Sequence, residues 1–226
     1  MQIQPFPLEI KPGKIICVGL NYPPLKRTDG WKPPPYPILF HKPASGLVGS
    51  GGAIVLPRIS QHVLYEGELA VVIGTRAKNV SFENVLEFVA GYTIANDVGA
   101  ADIESRSSQW ASGKMFDTFS PLGPSLIPSG EIPNPNELTI KTILNGDVVQ
   151  DGNTREMIFD VPYLVHYISQ LTTLEPNDVI LTGSPKRSGN LPDPRIPLKP
   201  GDTISVEIEG LGILMNTVVA EKSNDK

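Results

Sequence analysis

Two glutamates stand two residues apart in Tyr65-Glu66-Gly67-Glu68-Leu69-Ala70-Val71-Val72-Ile73-Gly74. An extended chain repeats every two residues, so both carboxylates point to the same face at the start of a strand. The apolar run that follows must be buried, and two neighbouring free carboxylates beside it are costly unless a cation or a base neutralises them. A third acid, Asp97, ends another apolar run, Gly91-Tyr92-Thr93-Ile94-Ala95-Asn96. Convergence of the three at the end of a strand pair would make an all-oxygen site. With no cysteine and no obvious histidine ligand, such a set suits a hard cation, Mg²⁺ or Mn²⁺, whose shell water or substrate oxygens complete; zinc is disfavoured. The same spacing also fits two glutamates on a solvated strand face and an aspartate capping a turn.

The elements that would position these acids are short. Twenty-three prolines and 21 glycines among 226 residues cut the chain into pieces rich in Val, Ile, Leu and Thr, which predicts a mixed, β-dominated α+β fold. Strands are expected at 14–19, 38–41, 53–56, 66–73, 92–96, 138–144, 179–182, 203–208 and 212–219, and Asn145-Gly146 signals a two-residue hairpin turn. Helical periodicity covers 82–90, 103–111 and 161–171, the last with Val161, Leu164, Val165, Ile168 and Leu171 on one stripe. A single domain over residues 1–226 is expected, with 1–13 as an N-terminal extension and 22–37 as a Pro-rich lid or loop. A net charge of −5 with scattered Lys and Arg argues against nucleic acid as a partner. Cys17 is the only cysteine, which excludes an intramolecular disulfide and a cysteine-rich zinc site. Neither a leader sequence nor an apolar run of the roughly 20 residues that span a bilayer is present, so the expectation is a cytoplasmic protein with no membrane partner.

Several segments carry a resemblance. The Glu66-Glu68 strand, Gly91 to Val98, Gly113-Lys114-Met115-Phe116-Asp117-Thr118-Phe119-Ser120-Pro121-Leu122-Gly123-Pro124, Asn145-Gly146 with Gln150, Thr182-Gly183-Ser184-Pro185, and Gly210-Leu211-Gly212-Ile213-Leu214-Met215-Asn216 occur in order. Together they resemble successive signatures of the fumarylacetoacetate hydrolase family. The resemblance implies a β-roll whose protomers pair as homodimers, with Glu66, Glu68 and Asp97 as ligands of Mg²⁺ or Mn²⁺. It implies that Lys114 lies beside the metal, where it donates to a substrate carboxylate or enolate and where desolvation near cations would lower its pKa. The Thr182 loop would border the active site, and Tyr22, Gln150, Thr182 and Lys186 are the candidate substrate contacts.

The pattern also breaks. Hydrolytic and decarboxylating relatives carry a His and, three residues later, a Glu in the lid after Gly-x-Asn-Tyr; here Gly19-Leu20-Asn21-Tyr22 is followed by Leu25 and Thr28 at those positions. Neither has the accessible lone pair and near-neutral pKa of a general base. His41 and His62 are candidate replacements, and His166 falls inside a helical stripe as a structural residue. Ala101 stands where relatives often have Arg. The expected activity is therefore a metal-dependent reaction on a small oxo-acid or 1,3-dicarbonyl, through an enolate held by the metal and Lys114: decarboxylation, tautomerisation, or carbon–carbon cleavage or rearrangement. Acylpyruvate or fumarylacetoacetate hydrolysis with a replacement base is an alternative. A catalytically inactive binding or assembly subunit is another.

Overall fold

The computed structural model describes residues 10–24, 30–185 and 196–222; Leu25 and Thr28 of the lid, most of the residue 1–13 extension and Lys186 lie outside this set. In chain order, β1 (Ile15–Gly19) and β2 (Ile38–Lys42) precede the short strands β3 (Leu47–Val48), β4 (Ala53–Leu56) and β5 (Val63–Leu64). The buried run behind the glutamates is β6 (Gly67–Ile73), and β7 (Val89–Asn96) returns antiparallel beside it. Next come β8 (Gly99–Ala100) and two single-turn helices, α1 (Ala101–Glu104) and α2 (Ala111–Lys114). The chain continues through β9 (Ser120–Pro128), the hairpin β10 (Thr139–Leu144) and β11 (Asp147–Asn153), and α3 (Val161–Leu171). It ends with β12 (Val179–Leu181), β13 (Thr203–Ile208) and β14 (Gly212–Ala220).

One sheet has the order β2-β1-β12-β6-β7-β9-β3 and the other β11-β10-β13-β14-β4. The larger sheet is covered on both faces, which is why β6 reads as continuous apolar sequence rather than as an alternation. Leu69, Val71 and Ile73 pack with Ile140, Val206 and Leu214 of the second sheet and with Leu164, Val165 and Ile168 of α3. Ala70 and Val72 face the other way, onto Ile15, Cys17, Val179 and Leu181. Glu68 continues this second face. Gly67 lies between the two glutamates on the opposite face, where a Cβ would come within 2.3 Å of Thr142 Oγ1 and 2.8 Å of Val206 Cγ1, so only glycine lets the sheets meet there.

Helix α3 has its expected bounds, begun by Asp160, whose carboxylate accepts from Tyr163 N. The other two helical expectations are corrected. Residues Phe82–Phe88 form a 3₁₀ segment that runs into β7, because only Val85 of that stretch is buried while Phe82 and Leu86 face outward, leaving no apolar stripe to hold an α-helix. The 103–111 helix is broken into α1 and α2. Ser105, Ser107 and Ser112 donate their hydroxyls to nearby carbonyls of Asp102 and Gln109, a local alternative to the helical ladder. Strand β9 was not expected from sequence because Pro121, Pro124 and Pro128 punctuate it. Pro121 faces the two-residue edge strand β3, Pro124 falls where the β7 register shifts between the Tyr92–Ile127 and Ile94–Gly123 pairs, and Pro128 is the last residue of the strand. Among the described residues no helix is long and apolar enough to cross a membrane.

Candidate active site

The β6–β7 register assembles the acids. Gly67 pairs with Asn96, so the residues just beyond, Glu66 and Asp97, meet at the end of the pair. Two further bonds lock the junction: Glu66 N donates to Asn96 Oδ1 at 3.0 Å, and Asp97 N donates to the Glu66 carbonyl at 2.8 Å. One carboxylate oxygen from each of Glu66, Glu68 and Asp97 then lies within 4.8 Å of the other two. Glu68 and Asp97 are buried and Glu66 is half-buried.

Among the described residues, two ammonium groups reach this cluster. Lys114 Nζ donates to Glu66 Oε2 at 2.7 Å and to Asp97 Oδ2 at 3.0 Å. Lys42, fully buried at the end of β2, donates to Asp97 Oδ1, to the Val98 carbonyl at 2.9 Å and to the Phe119 carbonyl at 2.6 Å. Among the described residues no ammonium donates to Glu68: its Oε2 accepts from the backbone N–H of Gly183 at 2.8 Å, which the positive φ of that glycine (91°) turns toward it. Burial, and then the charges of Asp97 and Glu66, push the Glu68 carboxyl well above the usual carboxylate range against the opposing pull of Lys114 and the Gly183 amide. The donors that Glu66, Glu68 and Asp97 offer are carboxylate oxygens alone. That donor set fits a divalent hard cation, and not zinc.

The lowering of the Lys114 pKa expected near cations has desolvation as its cause. Burial does act in that direction, but Asp97, Glu66 and Glu104 outweigh it and hold the ammonium above the ordinary lysine range. Its hydrogen bonds to Glu66 and Asp97 orient it as a donor.

The cluster lies in a cavity of about 240 Å³ with Leu20, Phe40 and Trp110 among its apolar walls and Tyr22, Glu104 and Ser184 among its polar ones. The rings of Phe40 and Trp110 meet edge to face with centroids 6.0 Å apart. Tyr22 lines the cavity, and its buried hydroxyl has no hydrogen-bond partner among the described residues. Burial, with Glu68 and Glu156, raises its pKa, so the phenol stays protonated and is a donor. Gln150 and Thr182 are not among the cavity-lining residues. Gln150 accepts from Gly67 N at 2.9 Å and from Thr142 Oγ1 at 2.6 Å and donates to the Pro185 carbonyl at 3.0 Å, while Thr182 Oγ1 donates to the Leu69 carbonyl at 2.9 Å. Their polar atoms serve the packing of the Pro185 loop and of β12. The loop residue that does line the cavity is Ser184. Neither His41, exposed on β2, nor His62 lines it, and His166 is held by the Val80 carbonyl at 2.7 Å in its structural place on α3.

Residues 14–219 match the sequence profile of the fumarylacetoacetate (FAA) hydrolase C-terminal family. The chain belongs to this family. It is 47% identical over 220 residues to the fumarylacetoacetate hydrolase domain-containing protein 2 homolog of Dictyostelium discoideum, covering 92% of this chain and 72% of that protein. It is 44% identical over 211 residues to oxaloacetate tautomerase FAHD2A, mitochondrial, of Homo sapiens, covering 92% of this chain and 67% of that one. The structure of 2-hydroxyhepta-2,4-diene-1,7-dioate isomerase from Mycobacterium marinum matches with a TM-score of 0.82 at 40% identity, over 95% of this chain and 77% of that chain.

In this member of the fumarylacetoacetate hydrolase family, sequence reasoning missed Lys42, Glu104 and Trp110. A lone lysine at the end of Ile38-Leu39-Phe40-His41 reads as the solvated terminus of a strand, and nothing local announces its 0% exposed side chain. Lys42→Met should destabilise the fold by about 3–5 kcal/mol, because it leaves Asp97 buried with a partner missing. Urea unfolding in EDTA measures this loss, and added Mg²⁺ should recover part of it. Unchanged stability in EDTA would show that the ammonium does not hold Asp97.

Proposed function

We propose that this chain catalyses proton transfer on a small 2-oxo acid or 1,3-dicarbonyl compound, keto–enol tautomerisation in the first instance, with Mg²⁺ or Mn²⁺ as its cation. The observation that carries this reading is the buried Glu66, Glu68 and Asp97 cluster with Lys114 beside it in a cavity sized for a small molecule. When bound by these three carboxylates, a divalent cation supplies Lewis acidity toward the oxygens of a dicarbonyl ligand. Lys114 donates to negative charge that develops on those oxygens, and the neutral Tyr22 phenol offers a second donor from the Gly19-Leu20-Asn21-Tyr22 segment. Leu20, Phe40 and Trp110 limit water at the site, which strengthens both interactions.

The lid decides between reactions. Hydrolysis needs a water activated by a base, and Leu25 and Thr28 replace the His and Glu that perform this role in hydrolytic relatives. Tautomerisation has no such requirement, and the relatives include proteins named oxaloacetate tautomerase and isomerase. The reading includes pairing of two protomers, which sedimentation velocity checks.

With saturating Mg²⁺, the protein should accelerate ketonisation of enol-oxaloacetate, followed by ultraviolet absorbance, and EDTA should remove the acceleration. No acceleration with either Mg²⁺ or Mn²⁺, on oxaloacetate or on an acylpyruvate, would reject the proposal. Rapid acylpyruvate hydrolysis without deuterium exchange at the α-carbon would replace it with a hydrolase.

A further inference from the structure

We infer that Glu104 is the proton-transfer group of this site: its carboxylate exchanges a proton with the carbon between the two carbonyls of the substrate. The inference rests on the tautomerase reading above and adds the residue that reading lacks.

Glu104 lines the same cavity as Glu66, Glu68, Asp97 and Lys114. Its seat is built from two glycines. At Gly99 a Cβ would come within 2.1 Å of Glu104 Oε1 and 2.8 Å of Lys114 Cε, and at Gly113 within 2.4 Å of Glu104 Cγ and 2.7 Å of the Ala100 carbonyl. Gly113, whose missing Cβ would meet the backbone of Ala100 and Glu104, lets α2 press on α1, and the bare Gly99 of β8 leaves the space in which the Glu104 carboxylate and the Lys114 stem lie side by side. Glu104 is also half-buried, so it can take a proton from a substrate on one side and return it to water on the other.

Other candidates fail on chemistry or on place. Glu66, Glu68 and Asp97 form the cation's donor set, and Lys114 is an ammonium already donating to two of them, with no lone pair to accept a proton. Among the described residues no histidine lines the cavity.

The step balances without any co-reactant. In the keto-to-enol direction the Glu104 carboxylate takes the α-proton, the C–H electron pair becomes the carbon–carbon double bond, and the carbonyl π pair moves onto oxygen, which acquires a proton from solvent. Ketonisation is the reverse: Glu104 as a neutral acid protonates the α-carbon, and the enol O–H proton leaves to water.

The test compares wild type, Glu104→Gln and Glu104→Asp in D₂O with saturating Mg²⁺, reading α-deuterium incorporation into oxaloacetate by NMR. Mn²⁺ affinity, and affinity for oxalate as a non-exchanging probe read by tryptophan fluorescence, are measured on the same proteins. Glu104→Gln should lose about 100-fold or more in exchange at unchanged Mn²⁺ and oxalate affinity, with Glu104→Asp recovering part of the loss. Exchange in Glu104→Gln within about threefold of wild type would overturn the assignment while leaving the tautomerase reading standing, since removal of a general base has a far larger effect. Loss of Mn²⁺ affinity in Glu104→Gln would also overturn it, by making Glu104 part of the cation site. No exchange with wild type would overturn the tautomerase reading, and this assignment with it.

Discussion

Lys114→Met should lower turnover about 30-fold to 1000-fold at saturating Mg²⁺, the effect of losing a charge-assisted hydrogen bond worth roughly 2–4 kcal/mol in the transition state. The same substitution should tighten Mg²⁺ binding. Lys114 pairs with Glu66 at 2.7 Å and with Asp97 at 3.0 Å, so its ammonium partly neutralises the carboxylates that a cation would use. Opposite movements of turnover and cation affinity distinguish a residue that acts on the substrate from one that merely holds the cluster together. Arginine should rescue poorly, since a planar fork does not replace a compact ammonium between two glycine-backed segments. Isothermal titration with Mg²⁺ and steady-state kinetics read both quantities, and near-wild-type turnover in Lys114→Met would remove the lysine from the mechanism.

Glu68→Gln should abolish cation-dependent activity and cation-dependent stabilisation together. Wild type is expected to melt higher with Mg²⁺ or Mn²⁺, by an amount equivalent to about 2.7 kcal/mol at a hundred times the dissociation constant. In the variant that shift should vanish. Glutamine keeps an acceptor for the Gly183 amide while removing a carboxylate whose burial beside Asp97 and Glu66 disfavours its charge, so the variant without metal should be at least as stable as wild type without metal. Differential scanning calorimetry with and without cation tests both halves. A wild type that millimolar Mg²⁺ and Mn²⁺ leave unshifted would refute the assignment of Glu66, Glu68 and Asp97 to a metal.

What was legible in the sequence is what obeys a short period. Glu66 and Glu68 advertise one face because strand geometry repeats every two residues, and α3 shows its stripe because Val161, Leu164, Val165 and Ile168 pack into the core, although Leu171, at the helix end, is exposed. Residues whose role depends on a partner distant in the chain left no such trace. Lys42 is 55 residues from Asp97, and nothing in Phe40-His41-Lys42-Pro43 tells a buried cation from a solvated one. Glu104 drew no notice inside the expected 103–111 helix, and its place in the cavity follows from the packing of α1 against α2. Gln150 and Thr182 were read as substrate contacts through the motifs that contain them; in the structure both fasten segments next to the cavity, and Ser184 lines its wall. The lost prediction of β9 has a similar cause, because proline punctuation carries no information about whether a neighbouring strand needs those amides.

The position of β12 bears on how the protein is made. β12 inserts between β1 and β6, parallel to the first and antiparallel to the second, and it leads directly to the Gly183 amide that holds Glu68. On the ribosome, the β6–β7 pair and its acid cluster emerge well before β12 does. Until then β6 presents a bare edge of apolar sequence to a crowded nascent chain, the kind of unpaired strand that invites mispairing. Closure across so many intervening residues is slow, because the entropy of the loop must be overcome before its contacts form. Glu66 and Glu68 place charge at the head of that bare strand during the wait, so two carboxylates of the cluster also serve as gatekeepers against mispairing.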